Sequence, residues 1–180
     1  MANVLLCCSA SVSVYKACDL ASKLTQNGHA VRTILTRNAA RLVSPQLFEA
    51  VTGEPAHVSE WGDERRAAMD HIDLSRFADI VVVAPCSADL AARLAHGMAD
   101  DLVTTTLLAV PHGSIPLLVC PAMNPNMLEQ PAVKRNFARL VADGWRLVES
   151  GAGHMACGDE GTGRLAEPID IVKAVEGALE

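Results

Sequence analysis

Three short apolar runs constrain the fold of this chain more than any other feature. They are Val4-Leu-Leu-Cys-Cys8, Asp79-Ile-Val-Val-Val-Ala84 with its one leading acid, and Ile115-Pro-Leu-Leu-Val-Cys120. None of them alternates apolar with polar residues, so a strand built from any of them is buried on both faces. Strands of that kind belong to parallel sheets covered by helices on each side. Segments with helical spacing lie between the runs. Val14, Ala17, Cys18, Ala21 and Leu24 recur with the period of a helix, Asn27-Gly28 closes it with Gly28 in the capping position, and His29 to Leu35 returns to a strand. Strand, helix, strand in this order implies parallel pairing through a right-handed crossover.

The pattern repeats further on. Ser87 is the expected N-cap of a helix running to Gly97, and Asp101 to Val110 forms a second helix. After the strand at 115–120, Pro131 starts a helix that reaches Ala142 and ends at Asp143-Gly144. Trp145 to Val148 reads as a short last strand, and Ile169 to Leu179 as a closing helix. No linker, repeat or low-complexity tract interrupts the series. The expected architecture is one α/β domain over residues 1–180. It is doubly wound in the Rossmann or flavodoxin manner, with about five or six parallel strands and helices on both faces. Two stretches stand outside the alternation. Residues 54–71, with His57, Trp61 and Asp63-Glu-Arg-Arg66, read as an irregular or interface segment. Residues 150–168 carry Gly151, Gly153, Gly158, Gly161 and Gly163, as a mobile flap at the carboxyl edge of a sheet would.

Composition narrows the function classes. The 180-residue chain has a formal net charge of -6 and no Lys/Arg block, which argues against nucleic-acid and anionic-membrane partners. Aromatic residues are 3% of the chain, too few for a base-stacking platform. No apolar run has membrane-spanning length, and the amino terminus lacks the basic start of a signal peptide, so the expected location is the cytoplasm. Of the six cysteines, none forms a C-x-x-C pair, so no metal site is expected. Cys7, Cys8, Cys18, Cys86 and Cys120 lie in strand or helix patterns and read as buried packing thiols. Cys157 stands between Ala156 and Gly158 in a polar, glycine-rich stretch, which suits an accessible, chemically active thiol.

The first βα turn is Ser9-Ala-Ser-Val-Ser13 in place of G-x-G-x-x-G, and no P-loop motif occurs. A dinucleotide site is disfavoured. Hydroxyls and backbone N–H groups at a helix N-terminus still suit a single phosphate, so a mononucleotide such as FMN fits better. Simple serine capping of the helix explains the same residues. A similar pair of readings holds for Pro121-Ala-Met-Asn-Pro-Asn-Met127, just past an apolar strand. Asn124 either caps a structural turn or orients a polar substrate beyond the strand end.

Three motifs together carry a resemblance. They are Met69-Asp-His-Ile-Asp-Leu74, Pro121-Ala-Met-Asn-Pro-Asn-Met127 and Ala156-Cys-Gly-Asp-Glu-Gly-Thr-Gly-Arg-Leu-Ala-Glu-Pro168. In this order, and over nearly the whole chain, they resemble the flavin-dependent cysteine decarboxylases. The resemblance implies FMN as cofactor. Its phosphate region maps to Ala10, Ser11 and Val12, with further contacts from Thr36 and Asn38, from Ser87, Ala88 and Asp89, and from Ala122 against the flavin ring. The first turn lacks the glycines common in the family, Asp89 replaces a frequent Asn, and Leu128 replaces a frequent aromatic residue. The resemblance also implies His71 as base or electrostatic partner, Asn124 as the holder of the substrate carboxylate, and Cys157 as proton donor. Met127, Ala156, Gly158 and Arg76 would complete the substrate side, Arg76 close to a subunit interface. Cys157 within its motif resembles the coenzyme A branch, whose small-molecule substrate is 4′-phosphopantothenoylcysteine and whose product is 4′-phosphopantetheine. The family is homo-oligomeric, built on trimers that can form dodecamers, with His71 and Asn124 meeting across an interface. Alternative readings are a decarboxylase of peptidyl C-terminal cysteine and a non-catalytic or regulatory FMN-binding protein.

Overall fold

The first apolar run becomes β1 (Asn3–Cys8), and it alternates its side chains between two separate cores. Val4, Leu6 and Cys8 enter one core and Leu5 and Cys7 the other. A strand flanked in this way has no solvent face, which is why its sequence shows no polar alternation. The computed structural model describes residues 1–62, 68–154 and 160–180. Its further strands are β2 (Ala30–Leu35), β3 (Ala56–His57), β4 (Ile80–Cys86), β5 (Leu117–Pro121) and β6 (Arg146–Leu147). They form one six-stranded sheet in the order β3-β2-β1-β4-β5-β6, and every pairing in it is parallel. This is the doubly wound order whose direction reverses between β1 and β4, the point at which such sheets bind ligands beyond their carboxyl ends.

Helices cover both faces. α1 (Val14–Gln26), α3 (Pro45–Thr52) and α9 (Pro168–Leu179) pack on one side through Leu20, Phe48, Ile171 and Val175. On the other side, α4 (Asp70–Phe77), α5 (Ala88–Ala95), α6 (Leu102–Ala109) and α8 (Pro131–Ala142) pack through Leu74, Leu90, Val103 and Phe137. In α1 the buried residues Val14, Ala17, Leu20, Ala21 and Leu24 follow the helical period. Gly28 follows its C-cap with φ +87°, a conformation that only glycine adopts without strain.

Several expected boundaries shift. The helix placed at Ser87–Gly97 ends at Ala95, and the strand expected from Ile115 pairs only from Leu117, because Pro116 has no N–H to offer a ladder. Residues 36–53, left unassigned by periodicity, hold the short α2 (Arg37–Ala40) and α3. Ser44 caps α3 by accepting from Gln46 N, and Pro45 begins it. The segment 54–71 contributes the edge strand β3 and the first turn of α4. The glycine-rich segment contributes an antiparallel hairpin of β7 (Gly151–His154) and β8 (Glu160–Arg164), separate from the main sheet. Among the described residues, no helix is long and apolar enough to cross a membrane.

Candidate functional site

Three strand ends meet at the switch point. Ser9 follows β1, Thr36 follows β2 and Ser87 follows β4. Ser9 is buried. Its N–H donates to Pro85 O at 3.0 Å. Its hydroxyl donates to the same carbonyl at 2.8 Å and accepts from Ser87 N at 2.8 Å. One side chain thus joins the turns after β1 and β4. Thr36 N donates to Cys8 O at 2.9 Å, which ties in the end of β2. Thr36 then caps α2 by accepting from Ala39 N, and Ser87 caps α5 by accepting from Leu90 N, as expected for Ser87. The serines of the first turn behave differently. Ser13 is the N-cap of α1 but makes no side-chain cap bond. The hydroxyls of Ser11 and Ser13 instead approach each other at 3.3 Å.

A cleft of about 380 Å³ opens between these turns, lined by Ser9, Ala10, Thr36, Arg37, Asn38, Ser87, Ala88, Asp89, Leu90, Arg93, Asp100, Asp101 and Met127. It brings together Ala10, Thr36, Asn38, Ser87, Ala88, Asp89 and Met127 from the residues singled out by sequence. Ser11, Val12 and Ala122 are outside that lining. Val12 is exposed and Ala122 buried, with Ala122 N donating to Cys86 O. Sequence reading missed Arg37 and the acidic cluster around Arg93. The signal for the cluster was present as the i,i+4 spacing of Asp89 and Arg93. Arg93 reaches Asp101 at 2.7 Å and Asp89 at 3.9 Å, and also pairs with Asp100. Burial opposes the charge on Arg93, but hydrogen bonds to Asp100 and Asp101 outweigh it and push its pKa up. The same hydrogen bond from Arg93 holds the Asp100 carboxyl below its ordinary range. The guanidinium therefore offsets much of the negative potential that Asp89 and its neighbours place on this wall.

His71 occupies the first turn of α4, and its Nδ1 lies 2.6 Å from Glu60 Oε2. Glu60 follows β3 and was not foreseen from sequence. Asn124 caps the one-turn α7 (Pro125–Leu128), its Oδ1 accepting from Asn126 N at 2.8 Å. The structural reading of Asn124 is therefore realised. It engages the acceptor end of the amide, whereas a carboxylate ligand needs the donor end. The hairpin lies against this turn. Met123 N donates to Gly163 O at 3.0 Å, and a Cβ added at Gly161 would meet Pro125 Cγ at 3.1 Å. Neither His71 nor Asn124 lines the cleft of its own chain. Arg76 is exposed in the last turn of α4. Ala156, Cys157 and Gly158 lie outside the described residues.

The other thiols have ordinary packing roles. Cys7, Cys8, Cys86 and Cys120 are buried and Cys18 is half-buried, not buried as expected. Burial pushes all five thiol pKa values up, so at neutral pH they stay protonated and unreactive. Among the described residues, no group of three or more His, Cys, Asp or Glu is arranged to hold a metal ion.

The cleft has the chemistry of a mononucleotide site. It combines the hydroxyls of Thr36 and Ser87, the Asn38 amide, the Arg37 guanidinium, the small Ala10 and Ala88, and the N-terminus of α5. The chain is similar to several known proteins. A family model described as Flavoprotein matches residues 1–180. The chain is 45% identical to the coenzyme A biosynthesis bifunctional protein CoaBC of Bacillus subtilis, over 97% of this chain and 42% of that protein. It thus spans less than half the length of that relative. It is 35% identical to a probable phosphopantothenoylcysteine decarboxylase of Streptococcus mutans, over 98% of both chains. The crystal structure of SpaF, described as an FMN-dependent cysteine decarboxylase, superposes with a TM-score of 0.82 at 32% identity, covering 99% of this chain and 95% of that one.

Proposed function

The chain belongs to the flavoprotein family, and from that premise we propose that it is an FMN-dependent decarboxylase of 4′-phosphopantothenoylcysteine in coenzyme A biosynthesis. The observation that carries this reading is the cleft at the β1/β4 switch point, whose lining includes Met127 of the Asn124-capped α7. A relative with the same activity in its name aligns end to end. Ala10, Thr36, Asn38, Ser87, Ala88 and Asp89, which line the cleft, would hold FMN, and the family resemblance adds Ser11, Val12 and Ala122 to this set.

A cysteine carboxylate has no electron sink beside it, so direct loss of CO2 would leave an unstabilised carbanion. Bound FMN would supply a two-electron oxidation of the thiol side chain to a thioaldehyde and the later return of those electrons. The remaining work falls to this chain's own residues. His71 takes the thiol proton at Nε2, the ring nitrogen opposite its Glu60 contact. Asn124 turns its amide donors to the substrate carboxylate and holds it without adding charge, so that CO2 can leave and the electron pair of the broken C–C bond passes into the C=S group to form the enethiolate. Cys157 protonates the enethiolate carbon, and the two electrons stored in the thiol oxidation would return to the sulfur-bearing carbon to complete the cysteamine amide. Arg76, Met127, Ala156 and Gly158 complete the substrate side. The same reading makes the protein a cytoplasmic homo-oligomer built on trimers that can assemble into dodecamers, with His71 of one chain facing Asn124 of another.

The test is mass spectrometry after anaerobic incubation of the FMN-loaded protein with 4′-phosphopantothenoylcysteine. The expected product is 4′-phosphopantetheine, and a Cys157→Ser variant should stall at the enethiol. Intact substrate with a folded, yellow protein refutes the assignment and turns attention to peptides ending in cysteine.

A further inference from the structure

We propose that Glu60 is a positioning residue that fixes the tautomer of His71, so that Nε2 carries the lone pair used in proton transfer. The inference deepens the decarboxylase reading and rests on it for the role of His71. The Glu60 Oε2 to His71 Nδ1 distance is 2.6 Å, within the range of a charge-assisted bond. Both side chains are largely withdrawn from water, 15% and 21% exposed, so solvent competes weakly with the contact. An ionised carboxylate can only accept, so the hydrogen of this bond must be on Nδ1. In the neutral ring the second nitrogen is then an acceptor. A residue that holds the ring in this tautomer prepares it for every turnover, and its carboxylate compensates the imidazolium that forms when Nε2 takes the thiol proton. The Nδ1 proton stays where it is throughout.

The placement of Glu60 is itself built. Its neighbour Ser59 is buried. The Ser59 hydroxyl accepts from Arg37 Nη2 at 3.1 Å and from Trp61 N at 3.1 Å. Arg37 lines the cleft. The loop after β3 is therefore pinned to the cleft wall on one side and to the imidazole on the other. The N-cap of α4, Met69, makes no side-chain cap bond. The His71 ring takes its orientation from a neighbouring loop, and Glu60 is the contact that transmits it.

Two readouts test the role. The first is 15N NMR of histidine-labelled protein without substrate, at a pH where the ring is neutral, with a His71→Gln spectrum assigning the His71 resonances. Wild type should show Nδ1 protonated and Nε2 bare. Glu60→Ala should shift His71 toward the opposite tautomer, and Glu60→Gln, which keeps an acceptor oxygen, should preserve it. The second readout is turnover of 4′-phosphopantothenoylcysteine. Loss of an orienting partner costs about 10- to 100-fold, so kcat should fall by that factor in Glu60→Ala with KM nearly unchanged, and recover in part in Glu60→Gln. A wild-type ring protonated on Nε2, an unchanged tautomer or kcat in Glu60→Ala, or a Gln variant as impaired as Ala each overturns the proposal. If wild type shows the Nδ1–H tautomer yet leaves the substrate intact, the decarboxylase reading has failed and the positioning of the ring has not.

Discussion

Removing the Ser9 hydroxyl should unlock the two turns that form the floor of the cleft. In Ser9→Ala, Pro85 O keeps the Ser9 N–H at 3.0 Å but loses the hydroxyl donor at 2.8 Å. Ser87 N loses the acceptor it has at 2.8 Å. The first loss is an ordinary hydrogen bond, worth about 0.5–1.5 kcal/mol net, and the second strands a part-buried donor at about 1–3 kcal/mol. The combined destabilisation should therefore be about 1.5–4.5 kcal/mol. For a domain of this size that corresponds to a Tm lower by roughly 5–15 °C. Urea unfolding of the FMN-free protein, at a fixed protomer concentration, measures it directly. Ser114→Ala is the control, since Ser114 Oγ makes the same type of bond to Pro111 O at 2.7 Å on the exposed surface. It should cost no more than about 0.5 kcal/mol. FMN affinity should fall in Ser9→Ala and hold in Ser114→Ala. A Ser9→Ala protein within 0.5 kcal/mol of wild type, by the scale on which surface changes are silent, would refute the reasoning.

Two further outcomes follow from the titration of individual groups. Burial pushes up the thiols of Cys7, Cys8, Cys86 and Cys120, so iodoacetamide at pH 8 should leave all four unmodified until the protein is unfolded. Peptide mass spectrometry that finds label on any of them in the folded state contradicts this. The hydrogen bond from His29 holds the Glu176 carboxyl below its ordinary 4.5, with Asn27 adding to the effect. A lowered carboxyl contributes stability at pH above 4.5 and loses it as pH falls from there through the folded value. Glu176→Gln should thus be slightly less stable than wild type at neutral pH, by about 1 kcal/mol or less for so exposed a partner, and the gap should close in acid. A gap that persists or widens as pH falls would show that the pair does not contribute in this way.

The order of elements was legible because each signal is local. A run such as Ile80-Val-Val-Val-Ala84 has no polar face to offer, so it can only be an interior strand. Ser87 and Asp101 announce helix starts because their side chains satisfy N–H groups within three residues of themselves. Local signals were weakest where elements are short. The two residues of β3 and the four of α2 carry no periodicity to read. The hairpin of β7 and β8 was hidden by glycines that give strand and loop the same sequence appearance.

The candidate site divides along the same line. Asn38, Ser87 and Met127 could be named because the resemblance to a known family maps contacts onto them, and the cleft lining contains all three. Their assembly into one cleft was not a property of any segment. Ser9 meets Ser87 across 78 residues, Lys16 meets Glu167 across 151, and Glu60 meets His71 from another element. Sequence by itself determined which segments are buried strands and amphipathic helices, since burial preference and backbone geometry act over a few neighbouring residues. Only the tertiary structure decided which turns touch, because that depends on strand order and crossover hand, which bring distant residues to one edge of the sheet.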